Sequence, residues 1–147
     1  MGTATTRQFP ARQDELETIR DFVDATCAAL TSDERQLIML VVEELFVNTI
    51  KHGYGGDRTG PVWLTLAPER NGVCRVTYED RAPAHNPLHG FDESTLDAPV
   101  TERPVGGLGQ YLVASLATES HYQRCGDRNV VELLMASETA GDNAPAG

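Results

Sequence analysis

The chain has 147 residues, 40% hydrophobic and 23% charged, which suits one globular domain with its own core. Its formal net charge of -10 argues against a nucleic-acid interface, which needs basic residues to neutralise phosphates, and against docking on an anionic membrane. A small anionic ligand stays compatible, because backbone N–H groups and a bound cation can reverse the local field.

No window approaches the roughly 18 apolar residues of a membrane span, and the opening MGTATTRQFP has no apolar signal core. Cys27, Cys74 and Cys125 are far apart and form no CxxC pair. They read as small buried hydrophobes in a reducing, cytoplasmic setting.

Asp14 followed by Glu17 has the spacing of a capping box. Leu16, Ile19, Phe22, Val23, Cys27 and Leu30 then recur at helical spacing, so residues 14–30 are predicted to form an amphipathic helix. Thr31 and Glu34 repeat the capping signature and open a second helix over about 32–52, which HGYGG stops. The period then falls to two. PVWLTLAPE and VCRVTYED read as strands joined at ERNG, where Gly72 can take positive φ. From Arg81 to Val105 no period holds and four prolines intervene, as in a functional or mobile loop.

GGLGQYLVASLATES returns to helical spacing, with Leu108, Leu112 and Leu116 on one face and Val113 beside it. HYQRC and NVVELLMAS, joined by GDR, close the domain as a hairpin. The expected fold is an α+β two-layer sandwich, with a mixed, mostly antiparallel sheet and about three helices on one face. Residues 1–137 would form the domain and 138–147 a disordered tail.

The second helix carries more polarity beside its core stripe than packing requires. Glu44, Asn48 and His52 fall in one row at 100° per residue, bordering the apolar face that Leu40, Val41, Val42, Leu45, Phe46, Val47 and Ile50 can supply. Either Glu44 reaches solvent or caps a loop, or the row meets a ligand. Asp80, ending the second strand, is a turn residue or an acceptor for an amino-bearing base. The GGLG glycines make a tight turn or let backbone N–H groups approach a phosphate. Lys51 is the sole lysine and lies in the second helix, so the chain contains no Walker-A motif.

In this order, EELFVNTIKHGYGG, the strand-end Asp80, the loop and GGLGQYLV resemble the nucleotide-binding blocks of the GHKL, or Bergerat-fold, ATPases. The similarity spans about residues 8–136 and is greatest to the anti-sigma-factor serine kinases of bacterial partner-switching systems. The resemblance implies that Glu44 is the catalytic base, and that Asn48 holds Mg²⁺ through its amide oxygen. It implies that Lys51 contacts phosphate and that Asp80 reads the adenine amino group, with Ala82 standing where the family's block has glycine. Gly107 and Gly109 would cradle the phosphates, Gly106 and Leu108 would add backbone, and Arg103 would reach the γ-phosphate from a lid over about 88–105. His85 stands where relatives often carry Phe, and Glu132 stands near a strand position where many carry Thr.

The resemblance further implies ATP and Mg²⁺ as cofactors, a STAS-domain anti-anti-sigma protein as phosphoacceptor, a sigma factor as the sequestered partner, and a homodimer. The alternative is an ATP-binding module that sequesters a partner without phosphorylating it.

Overall fold

Five segments pair into one sheet in the computed structural model, which describes residues 3–55, 60–88, 113 and 116–136. The strands are β1 (Thr5–Pro10), β2 (Pro61–Pro68), β3 (Val73–Asp80), β4 (Ala117–Cys125) and β5 (Arg128–Ala136). Their order is β1-β2-β3-β5-β4, and all four pairings are antiparallel. The two-layer α+β sandwich expected from the sequence is present. Among the described strands its sheet contains no parallel pair.

Period two sorts the side chains of the central strands. Val62, Leu64 and Leu66 of β2, Cys74, Val76 and Tyr78 of β3, and Val131, Leu133 and Met135 of β5 are buried on one face. Helices α1 (Leu16–Thr26) and α2 (Ser32–Asn48) supply the opposing layer. Ile19, Phe22 and Val23 come from α1, and Ile38, Met39, Val41, Val42, Leu45 and Phe46 from α2. That spacing in α2 is the wide apolar stripe of a core-facing helix. Leu40, which the sequence placed on the apolar face, falls outside the stripe at 46% exposure.

The two helix starts differ from one another. Thr31 has extended dihedrals and accepts from the Glu34 backbone N–H at 3.1 Å, while the Thr31 N–H donates to Glu34 Oε1 at 2.8 Å. The predicted capping box at Thr31 is therefore formed. The one predicted at Asp14 is not. A 3-10 turn at Gln13–Glu15 precedes α1, and Asp14 pairs with Arg12 instead. Glu15, at the cap position, already has helical dihedrals and no side-chain cap. An N-cap side chain needs an extended backbone to reach the free N–H groups, and the start of α1 does not provide one. The helix also stops at Thr26, with Cys27 and Leu30 buried in the turn that follows.

The β2–β3 connection uses two successive left-handed residues, Asn71 (φ 70°) and Gly72 (φ 77°), the residue types that tolerate this region. Strand β1 is the one strand with no sequence expectation. Of its six residues only Phe9 is buried, so no alternation shows. Phe9 meets Phe22 edge-to-face, with centroids 5.7 Å apart. Strand β4 begins at Ala117 and takes residues 117–120 from the expected third helix. Val113 and Leu116 are helical; the rest of that helix, the lid and the tail lie outside the described residues. Cys27 and Cys74 are buried as expected, whereas Cys125 is exposed.

Thr31→Ala removes one half of a formed capping box. It is expected to lower unfolding free energy by about 0.5–2 kcal/mol in denaturant titration, whereas Asp14→Ala should change it by no more than about 0.5 kcal/mol.

Candidate functional site

At the end of α2 the backbone widens. Residues Thr49–Gly53 form a π turn, closed by the Tyr54 N–H donating to the Thr49 carbonyl at 2.8 Å. The Thr49 hydroxyl lies 3.0 Å from the Leu45 carbonyl, within the preceding turn. Such insertions recur at functional sites because they re-aim the residues that follow. The expected row of Glu44, Asn48 and His52 is broken here. It assumed 100° per residue throughout, and the π turn places His52 and Lys51 in solvent.

The wider turn is accommodated by close packing. A Cβ at Gly53 would lie 2.9 Å from the Ala82 methyl group, closer than such atoms approach. A methyl at position 82 therefore goes with its absence at 53. Gly60 likewise makes room for the Tyr54 ring, to which an added Cβ would come within 2.4 Å. The Tyr54 hydroxyl donates to the Pro61 carbonyl at 2.7 Å and accepts from the Arg81 N–H at 2.7 Å, fixing the turn to the sheet.

Between the turn, the sheet and the chain leaving β3 lies a pocket whose walls include Leu45, Asn48, Gly53, Ala82, His85 and Val131. Its polar centre is Asp80, 8% exposed, at the C-terminal end of β3. Oδ2 accepts from the Thr49 hydroxyl at 2.9 Å. Oδ1 accepts from Asn129 Nδ2 at 2.8 Å and from the Ala82 N–H at 3.1 Å. A carboxylate offers about four lone-pair sites. Three are filled among the described residues, and the remaining one is on Oδ2.

Tyr78 completes the cluster. Its hydroxyl is 2.7 Å from Thr49 Oγ1. One proton from each hydroxyl suffices for a chain in which Tyr78 donates to Thr49 and Thr49 donates to Asp80. Burial pushes the Tyr78 phenol well above its ordinary value; the Thr49 hydrogen bond opposes this and the Asp80 charge adds to it.

Three of the site residues expected from the sequence converge: Asn48, Asp80 and Ala82 all line this pocket. Glu44 does not line it. It sits half-buried one turn earlier on α2, about 6 Å along the axis at 1.5 Å per residue. Lys51 is exposed. Arg103, Gly106, Gly107, Leu108 and Gly109 lie outside the described residues. Glu132 is exposed and directly opposite Thr77 and His121, on the sheet face away from the pocket. It is not the strand residue near Asp80, because period two gives that place to Asn129 and Val131.

A family model described as a histidine kinase-like ATPase domain matches residues 9–135. The chain belongs to this family. The crystal structure of the RsbU and RsbW domains of Rv1364c from Mycobacterium tuberculosis is similar, with a TM-score of 0.62 at 15% identity. The match covers 91% of this chain and 32% of that one, so the chain spans about a third of the solved chain it matches. The histidine kinase domain of a blue-light activated histidine kinase from Erythrobacter litoralis gives a TM-score of 0.52 at 16% identity, covering 88% of this chain and 62% of that one. At these identities the likeness is one of fold. No curated protein matches.

Within the histidine kinase-like ATPase fold, Thr49, Tyr78 and Asn129 complete the polar cluster around Asp80 with no motif to mark them. Thr49 and Asn129 are, with Asp80, the buried polar residues among those described. The available signal was a polar residue on a core-facing register: Thr49 four residues after Leu45, and Asn129 two before Val131.

Gly53→Ala should destabilise the domain by about 1–3 kcal/mol through overpacking. Added to that variant, Ala82→Gly should recover most of the loss, and a double-mutant cycle in denaturant would show the coupling. The Tyr78 shift has a definite sign. A phenol kept neutral by the fold contributes stability present in full below its ordinary value of 10.0 and lost as pH rises beyond it. Unfolding free energy measured across alkaline pH should fall above 10.0, and less steeply for Tyr78→Phe.

Proposed function

We propose that this chain is an ATP-dependent serine/threonine protein kinase and anti-sigma factor, phosphorylating a STAS-domain anti-anti-sigma protein and sequestering a sigma factor. The observation that carries this reading is the meeting of Asp80 and Asn48 in one pocket, with an acceptor site of Asp80 open beside an uncommitted amide. The open Oδ2 lone pair suits the exocyclic amino group of adenine, and the apolar walls suit its ring.

Asn48 ends α2, and its side chain has no hydrogen-bond partner among the described residues. Its side-chain oxygen is a hard neutral ligand of the kind Mg²⁺ accepts beside phosphate oxygens and water. Among the described residues no group of three or more His, Cys, Asp and Glu could hold a metal ion, so a cation here would take most of its ligands from nucleotide and water. When bound, Mg²⁺ neutralises phosphate charge during transfer. Glu44, one turn from Asn48, would accept the proton of the partner's hydroxyl. Gly106, Gly107, Leu108 and Gly109 would present backbone N–H groups to the phosphates, with Arg103 and Lys51 as the cationic contacts. Positioning and electrostatics supply most of the rate in such transfers.

The chain's own charge gives the switch a physical basis. A phosphoserine adds about -1.5 to -2 charge, and the chain already carries -10. The modified partner is repelled and released, leaving the kinase to take up its sigma factor.

A sequestering module without transferase activity is the second reading, favoured by the absence of Glu44 from the pocket lining. Incubation with γ-labelled ATP and a STAS-domain partner separates the two. Label on the partner, lost in Glu44→Ala, supports the kinase; nucleotide binding without label supports the module. Asn48→Ala and Asp80→Ala are each expected to weaken Mg²⁺–ATP binding about tenfold or more, the worth of one charge-assisted contact. Calorimetry showing unchanged affinity in both would remove the site assignment.

A further inference from the structure

Asn129 is 5% exposed and stands directly across from Asp80 in the β3–β5 register. Its amide nitrogen donates to Asp80 Oδ1 at 2.8 Å and to the Ala82 and Pro83 carbonyls at 3.1 Å each. Its amide oxygen accepts from the His85 N–H at 3.1 Å, the Tyr122 hydroxyl at 2.6 Å and Arg124 Nη1 at 3.2 Å. Every contact of the nitrogen is an acceptor and every contact of the oxygen is a donor. Flipping the amide would set its oxygen against a carboxylate and two carbonyls, so this orientation alone satisfies the surroundings.

The consequence falls on Asp80. With Asn129 and the Ala82 N–H both on Oδ1, that oxygen is tethered to β5 and to the chain leaving β3. Oδ2 receives Thr49 and retains a lone pair. The same amide clamps the backbone of residues 82–85, whose Ala82 and His85 line the pocket, and Arg124 adds a second clamp on the Ala82 carbonyl at 2.8 Å. Asn129 thus holds both the carboxylate and the wall beside it.

We propose that Asn129 is the positioning residue that makes the pocket selective for a purine bearing an amino group at C6 over one bearing a carbonyl oxygen. This rests on the reading of Asp80 as the base contact. An amino group donates to the open lone pair on Oδ2. A 6-oxo purine presents an acceptor to an acceptor and is rejected, because the site's polar group is left unpaired. The discrimination requires Oδ2 to be held in place, and Asn129 holds it by occupying Oδ1.

The test compares binding of Mg²⁺–ATP and Mg²⁺–ITP to wild type, Asn129→Ala, Asn129→Val and Asp80→Ala by calorimetry, with melting curves to confirm folding. Asn129→Val keeps a branched strand-forming side chain where the smaller one leaves a cavity. Wild type should prefer ATP. Either folded Asn129 variant should lower the ATP-to-ITP affinity ratio about tenfold, largely through ATP, the worth of one misaligned charge-assisted hydrogen bond. A purely structural role would weaken both nucleotides alike and keep the ratio, which overturns the proposal. If Asp80→Ala abolishes the ratio while the Asn129 variants keep it, the inference fails and the nucleotide reading stands. If Asp80→Ala itself keeps the wild-type ratio, the reading of Asp80 fails, and the inference with it.

Discussion

A carboxylate buried at the end of a strand sets the terms for the rest of the pocket. Removing Asp80 from water costs several kcal/mol unless donors replace the lost hydration. Here three donors come from three separate places: the Thr49 hydroxyl at the end of α2, Asn129 on β5 and the Ala82 backbone beyond β3. None is within one residue of Asp80 in sequence. The carboxylate is stable only where the helix layer, the sheet and the exiting chain have all arrived, so burying it couples the two layers at the place where the pocket opens.

The π turn follows from the same constraint. Thr49 must turn its hydroxyl inward to reach Asp80 and Tyr78, and the chain must then clear Ala82 and reach β2 at Gly60 and Pro61. A wide turn with glycine at 53 gives that clearance, and Tyr54 fastens it by bridging Pro61 and Arg81. Asn48 stays on the last regular turn of α2 and lines the pocket, while Lys51 and His52 are carried outward. Local backbone geometry therefore separates residues that an uninterrupted helix would have kept in one row.

The far side of the sheet carries a different chemistry. Trp63 lies beneath the guanidinium of Arg128, 3.6 Å from the ring centroid, with Arg81 at 5.2 Å, and Arg128 also pairs with Glu79 at 3.4 Å. These residues follow the period-two alternation of β2, β3 and β5 as the core residues do, one step out of phase. A single register thus fixes both faces: the pocket receives Asp80 and Asn129, and the opposite face receives Glu79, Arg128 and Glu132.

Much of the layer architecture was legible in the residues. The alternation in PVWLTLAPE and VCRVTYED placed β2 and β3, Thr31 and Glu34 placed the start of α2, and Val41, Val42, Leu45 and Phe46 marked part of its buried face, because these signals depend on neighbours within a few positions. The ordered blocks around Asn48 and Asp80 identified the family for the same reason. Strand β1 could not be read, since Phe9 alone among its residues meets the core. The capping box at Asp14 failed because Asp14 lies within a 3-10 turn before α1 and pairs with Arg12, two positions earlier.

The sequence by itself determined the α+β class and the phase of β2 and β3, since periodicity and capping act locally. Only the tertiary structure decided which side chains complete the carboxylate's shell, that Glu132 faces away from it, and that Gly53 answers Ala82. Those are contacts between residues 29 to 49 positions apart, and whether a buried donor finds its acceptor depends on where the layers meet rather than on any local pattern.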